Sequence, residues 1–320
     1  MLKVNVMLLA AVGMLPFTTP AAAPAAAPAA APVLKAAVEF KAASGVHRMI
    51  VSSDGKHLAL GLEDGAIALT DAATLPPRAQ VVKIEGGRAE CMAFSPDSAL
   101  LATGTFEGAY TLWKVPGAAV ARRITGEGLA GAVGFSSDGR SMVTYPASSG
   151  IGTWDVATGA KRGTVPLAGG GNLLPRDVVF SADAKTLAIS GGRDDDHTVR
   201  VWDASTGKLR QHFKAYPKLV DRLALSADGG RLVTGSEDGM VRVWDLATAK
   251  PLGAWKVGGF VTAVAISRDG KRIAASTDAE PDVRVWDLAS ASVIAQLPGH
   301  PDGARPGILS GWETHLLCGL

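Results

Sequence analysis

The densest group of metal-binding side chain types in the sequence is Asp194-Asp195-Asp196-His197. Three carboxylates beside an imidazole can hold a hard cation, but a calcium loop takes ligands from alternate positions around a glycine turn, and this run does not. It reads instead as a solvated acidic turn, and no metal is expected. Two cysteines, Cys91 and Cys318, give neither a disulfide framework nor a metal set. Cys91 lies in AECMAFS, where a packed thiol is the expectation rather than a reactive one. The chain has no G-x-S-x-G elbow, no H-E-x-x-H, no C-x-x-C-H and no P-loop. It is therefore expected to be non-catalytic and to carry no cofactor.

Whatever these side chains do depends on the elements that hold them. With 38 Gly and 18 Pro in 320 residues, and 47% hydrophobic against 19% charged, the chain can build a large core that turns interrupt throughout. Short strands suit that composition better than long helices. A net charge of +2 without a Lys/Arg run points away from nucleic acid as a partner.

The first residues form a region of their own. Lys3 precedes an apolar stretch from Val4 to Leu15, and small residues follow from Pro20 to Ala31, the order of a secretory signal. The apolar stretch is too short to span a bilayer, so no membrane span remains once the signal is removed. Residues 1–21 are read as the signal, with a mature start between Ala21 and Lys35, and residues 22–34 as a Pro/Ala-rich linker that cannot bury apolar surface. The protein is expected to be exported, periplasmic or extracellular.

From residue 35 to 300 the sequence repeats. An Asp-bearing turn recurs in VSSDGK, FSPDSA, FSSDGR, FSADAK, LSADGG and ISRDGK, placing Asp54, Asp97, Asp138, Asp183, Asp228 and Asp269 at intervals of 43, 41, 45, 45 and 41. A second landmark follows each, with Thr70, Trp113, Trp154, Trp202, Trp244 and Trp286 at one recurring position. Between the landmarks lie segments of alternating bulky and small residues such as VTAVAIS, then RLVTGS, then an acidic turn, then the Trp-bearing segment, then a weaker one such as PLGAWKV. Each unit therefore reads as four antiparallel strands. One such sheet leaves both faces wet, whereas sheets stacked radially shield each other, which makes a propeller.

These residues closely resemble the WD-repeat family, with its dipeptide intact at Trp154-Asp155, Trp202-Asp203, Trp244-Asp245 and Trp286-Asp287. The resemblance implies an all-β propeller of the seven-bladed type, with six intact four-stranded repeats here, acting as a scaffold for protein partners. It also implies that tryptophans are core residues, and that a Gly-His pair before each first strand joins a network of strand hydroxyl, turn Asp and Trp. Only Gly299-His300 fits that pair well, with His47 a looser match.

The last blade is the irregular one. Val38 to Lys41 aligns with LRQHFKAYP and reads as its outer strand, needing three partners from the C-terminus. Residues 301–320 instead form an aberrant tail without the Asp turn. Back-translating Asp302 to Gly319 and reading one nucleotide later nearly repeats VTAVAISRDGKRIAAS of blade six, so the last blade is read as truncated or frameshifted, with a divergent natural tail as the alternative. Losing one blade would uncover two faces of about 300 Å² each, roughly the largest apolar area a soluble monomer tolerates.

Charge follows the repeat. The turns between second and third strands carry Glu63, Asp64, Glu107, Asp194, Asp195, Asp196, Glu237, Asp238, Asp278, Glu280 and Asp282, all at one end of the ring. Lys56, Arg140, Lys161, Lys185, Lys208, Lys250, Lys271 and Arg272 fall at the other. Turn chemistry alone favours Asp in such places, and a basic protein partner on the acidic end is the functional alternative. A competing class is an enzyme or ligand sensor that uses the central channel, with His47, Arg48, Glu90, Arg176, Asp177, Asp221 and Arg222 as its lining.

Overall fold

A computed structural model describes residues 44–71, 80–126, 128–146, 150–169, 175–191, 197–214, 216–280 and 282–297, together with four short strands near the two ends. The described body is all β and consists of six four-stranded antiparallel sheets, each in simple chain order. Sheet one is Val46–Val51, His57–Leu62, Ala66–Asp71 and Gln80–Lys83. Sheet two is Ala89–Phe94, Leu100–Thr105, Ala109–Lys114 and Val120–Thr125. Sheet three is Ala130–Phe135, Ser141–Pro146, Ile151–Asp155 and Lys161–Val165. Sheet four is Asp177–Phe180, Thr186–Ser190, Val199–Asp203 and Leu209–Phe213. Sheet five is Val220–Leu225, Arg231–Ser236, Met240–Asp245 and Pro251–Lys256. Sheet six is Val261–Ile266, Arg272–Thr277, Val283–Asp287 and Val293–Leu297.

First strands of successive sheets lie side by side, so the sheets radiate as propeller blades from an axis lined by those strands. The core sits between blades. Cys91, Ala102 and Leu112 of blade two pack on Val133, Phe135, Met142 and Trp154 of blade three. Val233, Val241 and Val243 of blade five pack on Val264, Ile266, Ile273 and Trp286 of blade six. Burying both faces of each sheet this way explains why the second strands read as nearly continuous apolar or small runs. Leu58, Leu60, Leu101, Leu187 and Leu232 in those strands are all fully buried.

Glycine in the second strands sets how closely blades approach. A methyl group on Gly235 would stand 2.4 Å from Cγ1 of Val261, and one on Gly104 would stand 2.8 Å from Cβ of Ala130. In both cases the neighbouring blade's first strand occupies the space a side chain would need.

The remaining strands come from the two ends of the chain. Leu2–Val6 pairs antiparallel with Val38–Ala42, bringing Val4 opposite Phe40, and Gly307–Ile308 pairs with Cys318–Gly319. Gly307–Ile308 lies against the first two strands of blade six and the first strand of blade one, and Leu2–Val6 lies against Cys318–Gly319. The strand read as Val38 to Lys41 thus has Leu2–Val6 as its direct partner rather than a C-terminal segment. Both segments alternate apolar and polar residues, so a hairpin register matches them. Most of residues 1–21, all of residues 22–34 and most of residues 301–320 lie outside the described residues.

Candidate docking face and central channel

The turn between first and second strands is built alike in every blade. Its Asp accepts a hydrogen bond from a Ser two residues earlier: Ser52 to Asp54, Ser95 to Asp97, Ser136 to Asp138, Ser226 to Asp228 and Ser267 to Asp269 at 2.6 Å, and Ser181 to Asp183 at 2.7 Å. The same Ser Oγ accepts the backbone N–H that opens the next strand, as from Arg231 at 2.9 Å. The donated hydroxyl holds the carboxyls of Asp54, Asp97, Asp138 and Asp228 below the usual carboxylate range. Sequence reasoning found the aspartates and overlooked the serines, although Ser stands at the same offset in all six turns.

The second landmark is also one position in space. Thr70, Trp113, Trp154, Trp202, Trp244 and Trp286 sit across from Leu58, Leu101, Met142, Leu187, Leu232 and Ile273 in the same register. Trp113 and Trp154 donate their indole N–H to Thr103 and Thr144 of the second strand, at 3.0 and 2.9 Å. In blade five, Tyr216, just ahead of the first strand, donates its hydroxyl to Thr234 at 3.1 Å and meets Trp244 edge-on, with Arg242 over its ring and Asp238 paired to that Arg at 2.6 Å. Tyr216 thus links the second strand of blade five to its Trp-bearing strand. His47 lies elsewhere, its Nε2 3.3 Å from Glu90, and Gly299-His300 is outside the described residues.

Antiparallel pairing puts the turns between second and third strands, and the links from fourth strands to the next blade, at one end of the ring. Glu63, Asp64, Glu107, Glu237, Asp238, Asp278, Glu280 and Asp282 all stand there, while Asp194, Asp195 and Asp196 lie outside the described residues. Several are engaged: Asp238 by Arg242, Glu280 by Arg284, Asp282 by Gln296 at 2.6 Å, and Asp278 by the N–H of Phe260 at 2.6 Å. Glu63, Asp64 and Glu107 are exposed on neighbouring blades, and Phe106 beside Glu107 is 66% exposed.

The expected contrast of an acidic and a basic end needs correction. Lys56, Arg140, Lys161, Lys185, Lys208, Lys250, Lys271 and Arg272 do stand at the other end, but so do the six turn aspartates and Asp155, Asp203, Asp245 and Asp287. Each of these four caps the backbone of the turn that follows its strand, as Asp245 does by accepting the N–H of Thr248 at 2.7 Å. Turn construction therefore mixes the charge at that end.

Along the axis runs a cavity of about 950 Å³. His47, Arg48, Arg176, Asp177 and Arg222 line it, among apolar groups that include Met92, Phe94 and Phe180. Glu90 and Asp221 stand off the wall: Glu90 faces His47 and takes Nε–H of Arg88 at 2.8 Å, and Asp221 is 3.8 Å from Arg176. Burial, then Arg88 and Arg48, push the His47 imidazole below its ordinary value, so it is largely uncharged near neutrality. A β-bulge opens the first strand in five blades, with the register stepping over His47, Glu90, Gly131, Asp221 and Thr262. In blade one the bulge lets two consecutive residues, His47 and Arg48, line the cavity. Among the described residues no group of three or more His, Cys, Asp or Glu could hold a metal ion. Burial pushes the Cys91 thiol up to about 12, which keeps it protonated.

Residues 172–203, 206–245 and 250–287 match the family model described as "WD domain, G-beta repeat". These three segments carry WD40 repeats. It is similar to Periodic tryptophan protein 2 of Arabidopsis thaliana, 27% identical over 69% of this chain and 24% of that protein. It is similar to Small ribosomal subunit protein RACK1y of Oryza sativa subsp. japonica, 31% identical over 38% of this chain and 35% of that one. With the guanine nucleotide-binding protein subunit beta of Arabidopsis thaliana it shares 24% identity over 76% of this chain and 68% of that subunit. The chain thus spans about a quarter to a third of the length of the first two. The β-propeller domain of Cps50 (Swd1) from Myceliophteria thermophila shares the fold, with a TM-score of 0.71 at 17% identity, covering 88% of this chain and 95% of that one.

Proposed function

We propose that this WD-repeat propeller is an exported, non-catalytic docking scaffold, and that a basic protein partner seats on the end carrying the second-to-third-strand turns. The observation that carries this reading is Phe106 standing exposed beside Glu107, with Glu63 and Asp64 exposed on the next blade. An aromatic anchor ringed by carboxylates suits a cationic segment that also buries an apolar side chain. Two of the relatives are named as subunits of larger assemblies, which agrees with a role in holding proteins together. The test is capture from the exported fraction with the wild type, with Phe106→Ser/Glu107→Gln, and with Lys208→Gln at the opposite end. The double variant should lose the captured partner and Lys208→Gln should keep it. Identical capture by all three would refute the docking face.

Export rests on Lys3 ahead of the apolar stretch Val4 to Leu15. Cleavage would remove Leu2–Val6 from beside Val38–Ala42 and free that strand for C-terminal partners. N-terminal sequencing of the exported protein should begin between Ala21 and Lys35, and a chain found only in the cytoplasm with Met1 retained would overturn it. We read the ring as of the seven-bladed type, its last place filled by strands from both ends of the chain. The support is Gly307–Ile308 lying between the first strands of blades six and one.

A further inference from the structure

We propose that the axial cavity is a binding site for a small organic anion with an apolar body, such as a medium-chain carboxylate, and that Arg48 and Arg222 hold its charge. The wall carries Arg48, Arg176, Arg222 and Arg268 as cations against the carboxylates of Asp177 and Asp183. Both oxygens of Asp177 are already occupied, one by its own blade's Val178 N–H and one by the N–H of Leu223 at 2.8 Å. Asp183 belongs to the turn network of blade four, at the opposite end of the axis. Arg268 is also at that end, donating to the carbonyl of Ser53 at 2.9 Å. At the mouth on the docking side Arg48, Arg176 and Arg222 thus face the carboxylates of Asp177 and, behind Arg176, Asp221, while Glu90 is matched by Arg88, so one cation is in excess, in the middle of an end whose rim carries exposed carboxylates.

The arginines are prepared for a ligand. Arg222 is fixed in place by donating Nε to the carbonyl of Thr262 at 2.6 Å and one terminal nitrogen to that of Asp221 at 2.7 Å, which leaves donors of its planar fork for a further acceptor. Arg48 is exposed at the equivalent place after the bulge of blade one. Among the described residues, neither has a carboxylate within ion-pair distance. The fork of a single guanidinium favours carboxylate, which it binds through two parallel hydrogen bonds. Below the mouth the walls offer Met49, Met92, Phe94, Val178 and Phe180, all partly exposed to the cavity. Apolar walls beneath a few convergent polar groups are the usual make-up of a small-molecule pocket. The low-dielectric wall also strengthens the charge attraction at the mouth. An inorganic phosphate would satisfy the arginines and leave those side chains uncovered, so a ligand that is both anionic and apolar fits better.

The experiment titrates the full-length protein with octanoate by calorimetry, with octanol, octylammonium and inorganic phosphate as comparisons. Octanoate should bind at one site per chain, at least about tenfold tighter than octanol, octylammonium or phosphate. Arg48→Gln/Arg222→Gln, both at exposed positions, should weaken octanoate by about tenfold or more, titrated at a temperature well below the variant's own melting temperature. Phe106→Ser/Glu107→Gln should bind octanoate like the wild type, which separates this site from the docking face. No saturable octanoate binding, or equal binding of octanoate and octanol, would overturn the proposal without recourse to any variant. So would undiminished octanoate affinity in the double arginine variant.

Discussion

A single hydroxyl illustrates how much of this fold rests on small polar contacts. Ser226 is buried and joins Asp228, the N–H of Arg231 and the carbonyl of Arg231 in one turn. Ser226→Ala leaves that N–H without its partner, and should cost about 1–3 kcal/mol in urea unfolding. The turn also ties stability to pH. Asp54, Asp97, Asp138 and Asp228 titrate below their ordinary value in the folded chain because each accepts a Ser hydroxyl. A depressed carboxylate stabilises the fold above the unfolded value, near about 4, and that stabilisation is lost as pH falls through the folded value. The melting temperature should hold from neutrality to about pH 5 and then fall steadily toward pH 3. In Ser226→Ala the acid-induced fall should be smaller than in the wild type, because Asp228 then titrates more nearly alike in the two states.

At the scale of elements, blades are held by how closely their strands approach. Gly235 faces Val261 and Val264 of the next blade, and there is no room for a methyl group. Gly235→Ala should destabilise by about 1–3 kcal/mol through overpacking, read as a lower urea midpoint with an unchanged slope. Gly163 makes the opposite comparison, since a methyl there would meet only Oγ1 of Thr153 at 3.9 Å, an ordinary contact. Blade five adds a polar clasp. Tyr216→Phe removes the hydroxyl donated to Thr234 and keeps the ring against Trp244, so it should cost about 1 kcal/mol. Tyr216→Ala removes the ring as well and should cost about 3–5 kcal/mol. A near-zero effect of both would show that Tyr216 does not bridge the second and third strands.

For the molecule as a whole, closure decides stability and the two ends decide association. Blades one to six cover one another in series, but the first strand of blade one and that of blade six meet Gly307–Ile308. Deleting residues 301–320 should remove the contact that Gly307–Ile308 makes with blades one and six, and the shortened chain should self-associate more strongly in light scattering than the full chain. Partner binding at the docking end should weaken as salt rises from about 0.05 to 0.5 M, because exposed carboxylates are screened within a Debye length. Capture that is indifferent to salt would place the contact on apolar surface alone.

The sequence by itself determined the repeat, the four strands per unit, the turn aspartates and the recurring Trp position, because each follows from local alternation and turn chemistry that a linear string records. It also placed His47, Arg48, Arg176, Asp177 and Arg222 on the axis. Tertiary structure alone decided three other things. The bulge that steps over His47 is set by pairing with the second strand, so His47 and Arg48 both line the channel against the alternation the string implies. Tyr216 takes the bridging place because space beside Thr234 and Trp244 admits a ring, which no repeat pattern would single out. The engagement of Asp238 by Arg242, of Glu280 by Arg284 and of Asp282 by Gln296 depends on which side chains meet across strands. Charge along a sequence counts residues, whereas charge on a surface depends on which of them remain unpaired once strands meet.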